Sequence, residues 1–341
     1  MQSISVLTPF GKKRMKEIKP FLPGDEDRLD HEFHKLEEMV RLVDEKSRIV
    51  ELLIETFMDM KDIRFTVERS KGNALSVVEL FEIKSLLLKM KRIMELLETA
   101  NLPLSEEFLL LDTVSLLDIL DPRKDRMNTF YIYDDFSETL RDLRKKKREL
   151  ETRIRNEQKA IKRQVEAHYG ITLTPRFEYA VSKSNKELIK IIKEIPELTP
   201  GDEDYLSVVF TIKGTEETDS INRGLDQLNE KIEEQEVLIR EKLSESVSQF
   251  SRILLKNCDK IGELDFILSK AIYARQHHCV KPHLLREHRI EIDDGRHLVV
   301  EEILNQKNKS YCPVSIYLED GVTCITGANM GGKTVSLKLV G

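Results

Sequence analysis

The 341-residue chain is 40% hydrophobic, 34% charged and 6% aromatic, without tryptophan, which is enough apolar material for the cores of two or three domains beneath a heavily charged exterior. Fourteen glycines and ten prolines make up about 7% of the residues where roughly 12% is usual, so turns are few and elements long, and a sandwich of many short strands is excluded. Charges interrupt every apolar stretch before about 18 residues accumulate, and no apolar signal segment follows Lys12, Lys13 and Arg14, so a cytoplasmic protein with no membrane span is expected.

In chain order, Phe33, Leu36, Val40, Val43, Ser47, Val50, Ile54 and Phe57 alternate steps of three and four, the stripe of a helix packed on one face. A break at Gly72 and Asn73 precedes a second helical pattern, from Leu75 through Leu86 to Leu97, that ends near Asn101 and Pro103. The stretch 103–133 is less regular. Heptads then run through Phe136, Leu140, Leu143, Lys147, Leu150, Ile154, Ile161 and Val165, and again through Ile221, Leu225, Leu228, Ile232, Gln235 and Ile239 towards Leu254. At 1.5 Å per residue each spans roughly 45–55 Å, too long for the interior of a compact domain, and antiparallel pairing as a coiled-coil arm is the economical solution.

Between these helices, Phe177, Tyr179 and Val181 alternate with polar neighbours, as do Leu206, Val208, Phe210 and Ile212, the period of strands. A short helix from Asn185 to Glu194 and a turn through Pro200, Gly201 and Asp202 separate them, so a small α/β tip is expected on the arm. Near residue 285 glycines become frequent and β-leaning runs appear at Val314–Leu318 and Val322–Thr326, the start of a further α/β domain.

Cys258, Cys279, Cys312 and Cys324 form no CxxC pair, and His277, His278, Cys279, His283 and His288 match no structural zinc spacing; reduced thiols and no metal cluster are expected there. Net charge is −6, yet 141–164 holds eleven basic residues against four acidic ones, a local +7. Within it, Arg144, Lys145, Lys146, Lys147 and Arg148 are candidates for contacts with a phosphate backbone, the alternative being a solvated helix face.

Gly327, Ala328, Asn329, Met330, Gly331, Gly332, Lys333 and Thr334 fit G-x-x-x-x-G-K-[ST], after the strand pattern 322–326 and before a helix pattern, Val335 to Val340. Glycines there let backbone N–H groups turn around phosphate oxygens, Lys333 reaches the outer phosphates and Thr334 can ligate Mg²⁺, so Gly327, Asn329, Met330, Gly331, Gly332, Lys333 and Thr334 are the candidate nucleotide site.

The wording ITGANMGGKT, Ile325 to Thr334, resembles the phosphate loop of the MutS family of mismatch-repair ATPases, and Gly295, Arg296 and His297 resemble that family's Gly-Arg-His-Pro segment. Glu263 to Ala274 is similar to the helix leading into the family's ATPase domain. The resemblance is strongest over 257–341 and mostly one of pattern over 30–256. It implies ATP and Mg²⁺ as cofactors, Tyr311 and Pro313 as an element that packs on adenine, a homodimer through the complete ATPase domain, and DNA as partner. Departures are Ala328 for the usual Pro, Thr334 for Ser, Leu298 for the Pro after His297, and Val314 for an Asn.

The expected fold is mainly α: an N-terminal segment (1–30), a helical lever (31–133), a coiled-coil clamp arm (134–256) with an α/β tip (171–213), a return helix (257–284) and an incomplete P-loop ATPase domain (285–341). About 30 residues before the lever leave no room for the family's mismatch-reading and connector domains. Hydrolysis also requires a second acidic strand end, which the seven residues after Thr334 do not supply, so no meaningful ATPase turnover is expected. The reading is an ATP-dependent DNA-binding protein of the repair and recombination class. Alternatives are a related ATPase acting on a protein client, such as an aminomutase-reactivating factor, and a dimerising scaffold.

Overall fold

The computed structural model describes residues 4–203, 205–326 and 332–340. In chain order it forms helices α1 (Pro9–Lys16), α2 (Glu26–Glu45), α3 (Ser47–Phe57), α4 (Arg64–Arg69), α5 (Val77–Ala100), α6 (Val114–Leu120) and α7 (Glu138–Tyr169), then strand β1 (Glu178–Ser182) and helix α8 (Lys186–Lys193). Strands β2 (Leu198–Glu203) and β3 (Ser207–Ile212), helices α9 (Glu216–Gln249) and α10 (Ser251–Gln276), strand β4 (Ile290–Gly295), helix α11 (Leu298–Gln306), strand β5 (Val314–Leu318) and helix α12 (Lys333–Val340) complete it. The protein is mainly helical, with two small antiparallel sheets. It divides into two units, one of Met1–Lys61, Arg92–Leu110 and Asn257–Gly341, the other of Asp62–Lys91 and Leu111–Lys256. No helix among the described residues is long and apolar enough to cross a membrane.

In the first unit the single helix expected over 33–57 is two, α2 and α3, because Lys46 (φ −133, ψ 48) leaves helical geometry. The N-terminal segment is fixed to α10 by Asp265, whose carboxylate accepts the backbone N–H of Thr8 and its Oγ1, both at 2.7 Å. Burial pushes that carboxyl up from its ordinary value, against these bonds. The approach of α1 to α10 is close: a Cβ on Gly262 would lie 2.8 Å from the Phe10 backbone, so only glycine fits. Lys35, almost fully buried, is neutralised by Glu32 (2.6 Å), Glu107 (2.9 Å) and Glu263 (3.0 Å). Strands β4 and β5 pair antiparallel, and Leu339 of α12 packs on Gly295. The expected strand Val322–Thr326 is irregular: no strand among the described residues pairs with it, and Val322 is fully exposed.

The second unit is built on α7 and α9, helices of 32 and 34 residues, about 48 and 51 Å long. Ser137 caps α7 at its start, and Gly170 (φ 67) ends it in the left-handed conformation that glycine tolerates best. Thr215 and Thr218 form a capping box at the start of α9. The two helices run antiparallel side by side, since Arg144 pairs with Glu236 and, further along α7, Arg153 pairs with Glu217, both at 2.7 Å. The sheet between them in sequence has the order β1-β3-β2. Ile171, Leu173, Val181, Ile192, Ile195, Leu198, Val208 and Phe210 bury a separate small core with Val165 of α7. Pro200, Gly201 and Asp202 lie in β2 rather than in a turn. An edge strand accepts proline because that position needs no ladder N–H, and the register shifts between Pro200 and Glu203.

Candidate nucleic-acid interface and phosphate loop

Helix α7 turns about 100° per residue, so five consecutive basic residues cannot share a face. Arg144 points into the helix pair: its guanidinium donates to the Ile132 carbonyl (2.8 Å), to Asp134 (2.6 Å) and to Glu236 of α9 (2.7 Å). Partial burial alone would lower its pKa, but these two carboxylates outweigh that and raise it, so the cation is fixed and held by its own fold. Lys147 is half-buried on the same side, beside Glu151 (4.0 Å). Lys145, Lys146 and Arg148 are exposed.

The helix geometry assembles a longer constellation. Arg141, Lys145, Arg148, Thr152, Arg155, Lys159 and Arg163 follow one another at steps of three or four, all exposed, on the face turned away from α9. The stripe covers 22 residues of rise, about 33 Å, with no acidic residue in the series. The side chains of Lys145, Arg155, Lys159 and Arg163 make no ion pair or hydrogen bond among the described residues. Six cations with one neutral position, Thr152, thus form a linear electropositive edge whose spacing suits a polyanion. Four of the six cations, Arg141, Arg155, Lys159 and Arg163, lie outside the consecutive run; the i, i+3/i+4 spacing was the signal that pointed to them.

The outer face of α9 has the opposite sign. Asp219, Asp226, Glu230, Glu233, Glu234 and Glu241 are exposed, with Arg223 as a cation among them. A polyanion is therefore attracted to one side of the helix pair and repelled from the other.

Of the candidate nucleotide residues, Gly327, Asn329, Met330 and Gly331 lie outside the described residues. Gly332 (φ 84) precedes α12 in a conformation that L side chains rarely adopt, and its carbonyl accepts the N–H groups of Val335 and Ser336, which opens the helix. Lys333 and Thr334 occupy the first turn of α12, Lys333 half-buried and Thr334 exposed. A helix start with a glycine before it, a lysine and a hydroxyl is a donor set that fits phosphate and Mg²⁺. Tyr311 is half-exposed, and its hydroxyl accepts the backbone N–H of His297 (3.0 Å) at the start of α11, so it is held beside the Gly-Arg-His segment. His277, His278, Cys279, His283 and His288 do not converge: among the described residues no group of His, Cys, Asp or Glu could hold a metal ion.

The described features are an antiparallel helix pair with a basic edge and, separately, a lysine-threonine helix start behind a glycine. Curated relatives share sequence with the chain. The chain is 27% identical over 354 residues to Endonuclease MutS2 of Bacillus cytotoxicus, which covers 97% of this chain and 41% of that protein. It is 28% identical over 307 residues to Endonuclease MutS2 of Lachnospira eligens (87% of this chain, 37% of the relative) and 25% identical over 349 residues to that of Bacillus mycoides (97% and 41%). The chain thus spans about two fifths of the length of these relatives. No family model matches it.

Proposed function

We propose that this chain supplies the lever, clamp arm and phosphate loop of a MutS-type ATP-dependent DNA-binding protein. In this reading 31–133 and 257–284 form the lever, 134–256 the coiled-coil clamp with its tip at 171–213, and 285–341 the beginning of the ATPase domain. ATP binds through Gly327, Asn329, Met330, Gly331, Gly332, Lys333 and Thr334 with Tyr311 beside the base, and Thr334 ligates Mg²⁺, which neutralises phosphate charge when bound. The protein acts as a homodimer. Support comes from the wording of the loop, from the MutS2 relatives and, above all, from the basic stripe on α7.

The stripe refines the DNA contact. In this reading Lys145 and Arg148 contact the backbone together with Arg141, Arg155, Lys159 and Arg163, Lys146 lies off the stripe, Arg144 ties α7 to α9 through Glu236, and Lys147 pairs with Glu151 within α7. Aromatic side chains are absent from the stripe, so the contact is to backbone phosphates and indifferent to sequence. Fluorescence anisotropy with labelled duplex at several salt concentrations tests this. Reversing Lys145, Lys159 and Arg163 to Glu is expected to lower duplex affinity at least tenfold at low salt and to flatten the salt dependence. Equal affinity of the triple variant and the parent would refute the reading.

A further inference from the structure

The foot of the basic stripe carries an anion of its own. Just before α7, the one-turn 3-10 helix Asp134–Phe136 presents two adjacent carboxylates. Each forms a short inner pair with one arginine and a longer outer contact with a stripe arginine. Asp134 takes Arg144 on Oδ1 at 2.6 Å and Arg148 on Oδ2 at 3.8 Å. Asp135 takes Arg123 on Oδ2 at 2.5 Å and Arg141 on Oδ1 at 3.7 Å. The inner partners are anchored, Arg144 by Glu236 and the Ile132 carbonyl, Arg123 by the Tyr131 hydroxyl (3.3 Å) and the face of Tyr133 (5.1 Å to the centroid). The outer contacts are longer; Arg144 is half-buried, while Arg123, Arg141 and Arg148 are exposed. Arg141 and Arg148 are also the two stripe cations with an ion-pair partner among the described residues.

We propose that Asp134 and Asp135 form a built-in anion cap on the foot of the stripe, which the phosphates of a bound duplex displace from Arg148 and Arg141 while the inner pairs stay intact. The proposal rests on the nucleic-acid reading of α7. Duplex DNA then engages the uncapped end first, at Arg155, Lys159 and Arg163, and reaches the foot only by replacing a carboxylate with a phosphate. The cap lowers affinity for short or weakly held polyanions and leaves a longer site for duplexes that cover the whole stripe. Asp135 is the member to test: it is exposed, and an asparagine there keeps a carbonyl oxygen for Arg123.

The experiment is anisotropy of the full chain with a labelled duplex of about 20 base pairs, two helical turns, across a salt series. Asp135→Asn is expected to tighten binding about threefold to tenfold at low salt, because the duplex no longer has to displace a carboxylate from Arg141. Arg141→Gln is expected to cost little in the parent, where Arg141 is capped, and several-fold more in the Asp135→Asn background. Asp142→Asn is the control for simple loss of negative charge, because Asp142 is exposed on α7 with no partner among the described residues. An equal gain from Asp142→Asn, or additive effects of Asp135→Asn and Arg141→Gln, would overturn the cap while leaving duplex binding established. Absence of duplex binding by both parent and Asp135→Asn would instead sink the underlying nucleic-acid reading.

Discussion

Lys84 and Lys145 lie in the same unit and carry the same charge, but the fold uses them in opposite ways. Lys84 of α5 is completely buried, donating to Asp121 (3.1 Å) and to the Thr129 carbonyl (3.0 Å), whereas Lys145 stands in solvent with no side-chain partner among the described residues. Around Lys84 the charges cancel within one hydrogen-bond length. Along the outer face of α7 they accumulate over about 33 Å. Inward cations hold elements together and their loss costs stability; outward cations are surplus to folding, and in the proposed reading their loss costs binding. Arg144 belongs to the first group and Lys145, its chain neighbour, to the second.

The sharpest way to break this distinction is at its buried end. Asp121→Ala strands the Lys84 ammonium in the interior and is expected to cost about 3–5 kcal/mol, read as a lower midpoint in urea unfolding, with little effect on any DNA affinity that survives. The pH dependence carries the same information. Burial pushes the Asp121 carboxyl up, but the Arg126 N–H and Lys84 outweigh it and hold it below its ordinary 3.8. A depressed folded value contributes stability above the ordinary value and loses it as pH falls through the folded one. Acid should therefore destabilise the protein below about pH 3.8, and Asp121→Asn should flatten that limb of the curve. Next in size, Arg144→Gln removes hydrogen bonds to charged partners and is expected to cost about 1–3 kcal/mol. A variant that loses DNA affinity but no stability would move Arg144 into the outward group.

Long amphipathic elements were the most legible part of the fold, because a heptad register held over thirty residues admits few alternatives. The helices expected from Phe136 and Ile221 correspond to α7 and α9, and the alternating runs around Tyr179 and Val208 to β1 and β3. Two local features misled. Pro200, Gly201 and Asp202 have turn composition, but a Cβ on Gly201 would lie 3.2 Å from the Thr211 side chain, so glycine serves close strand approach at a sheet edge. Lys46 breaks α2 from α3 without any glycine or proline to announce it. For the exposed basic edge of α7, adjacency in sequence was the poorer guide: in a helix, neighbours at one residue diverge and neighbours at three or four align. The spacing of Arg141, Lys145, Arg148, Arg155, Lys159 and Arg163 was present in the sequence; the direction of α9, which decides which face remains open, required the packed pair.

The smallest expected effect is also the most discriminating, because it adds rather than removes. Thr152 is the neutral member of the stripe, exposed, its hydroxyl donating to the Arg148 carbonyl one turn back. Thr152→Lys closes the gap between Arg148 and Arg155 with a residue of better helix propensity, so folding stability should change by no more than about 0.5 kcal/mol. If the stripe lies along a phosphate backbone, one added cation should tighten duplex binding a few-fold and steepen the salt slope by up to about 0.9. Thr152→Glu should do the reverse by a similar amount. A lysine that leaves both affinity and slope unchanged would mean that the centre of the stripe does not touch the polyanion, since a positive charge placed against phosphate cannot be silent at low salt.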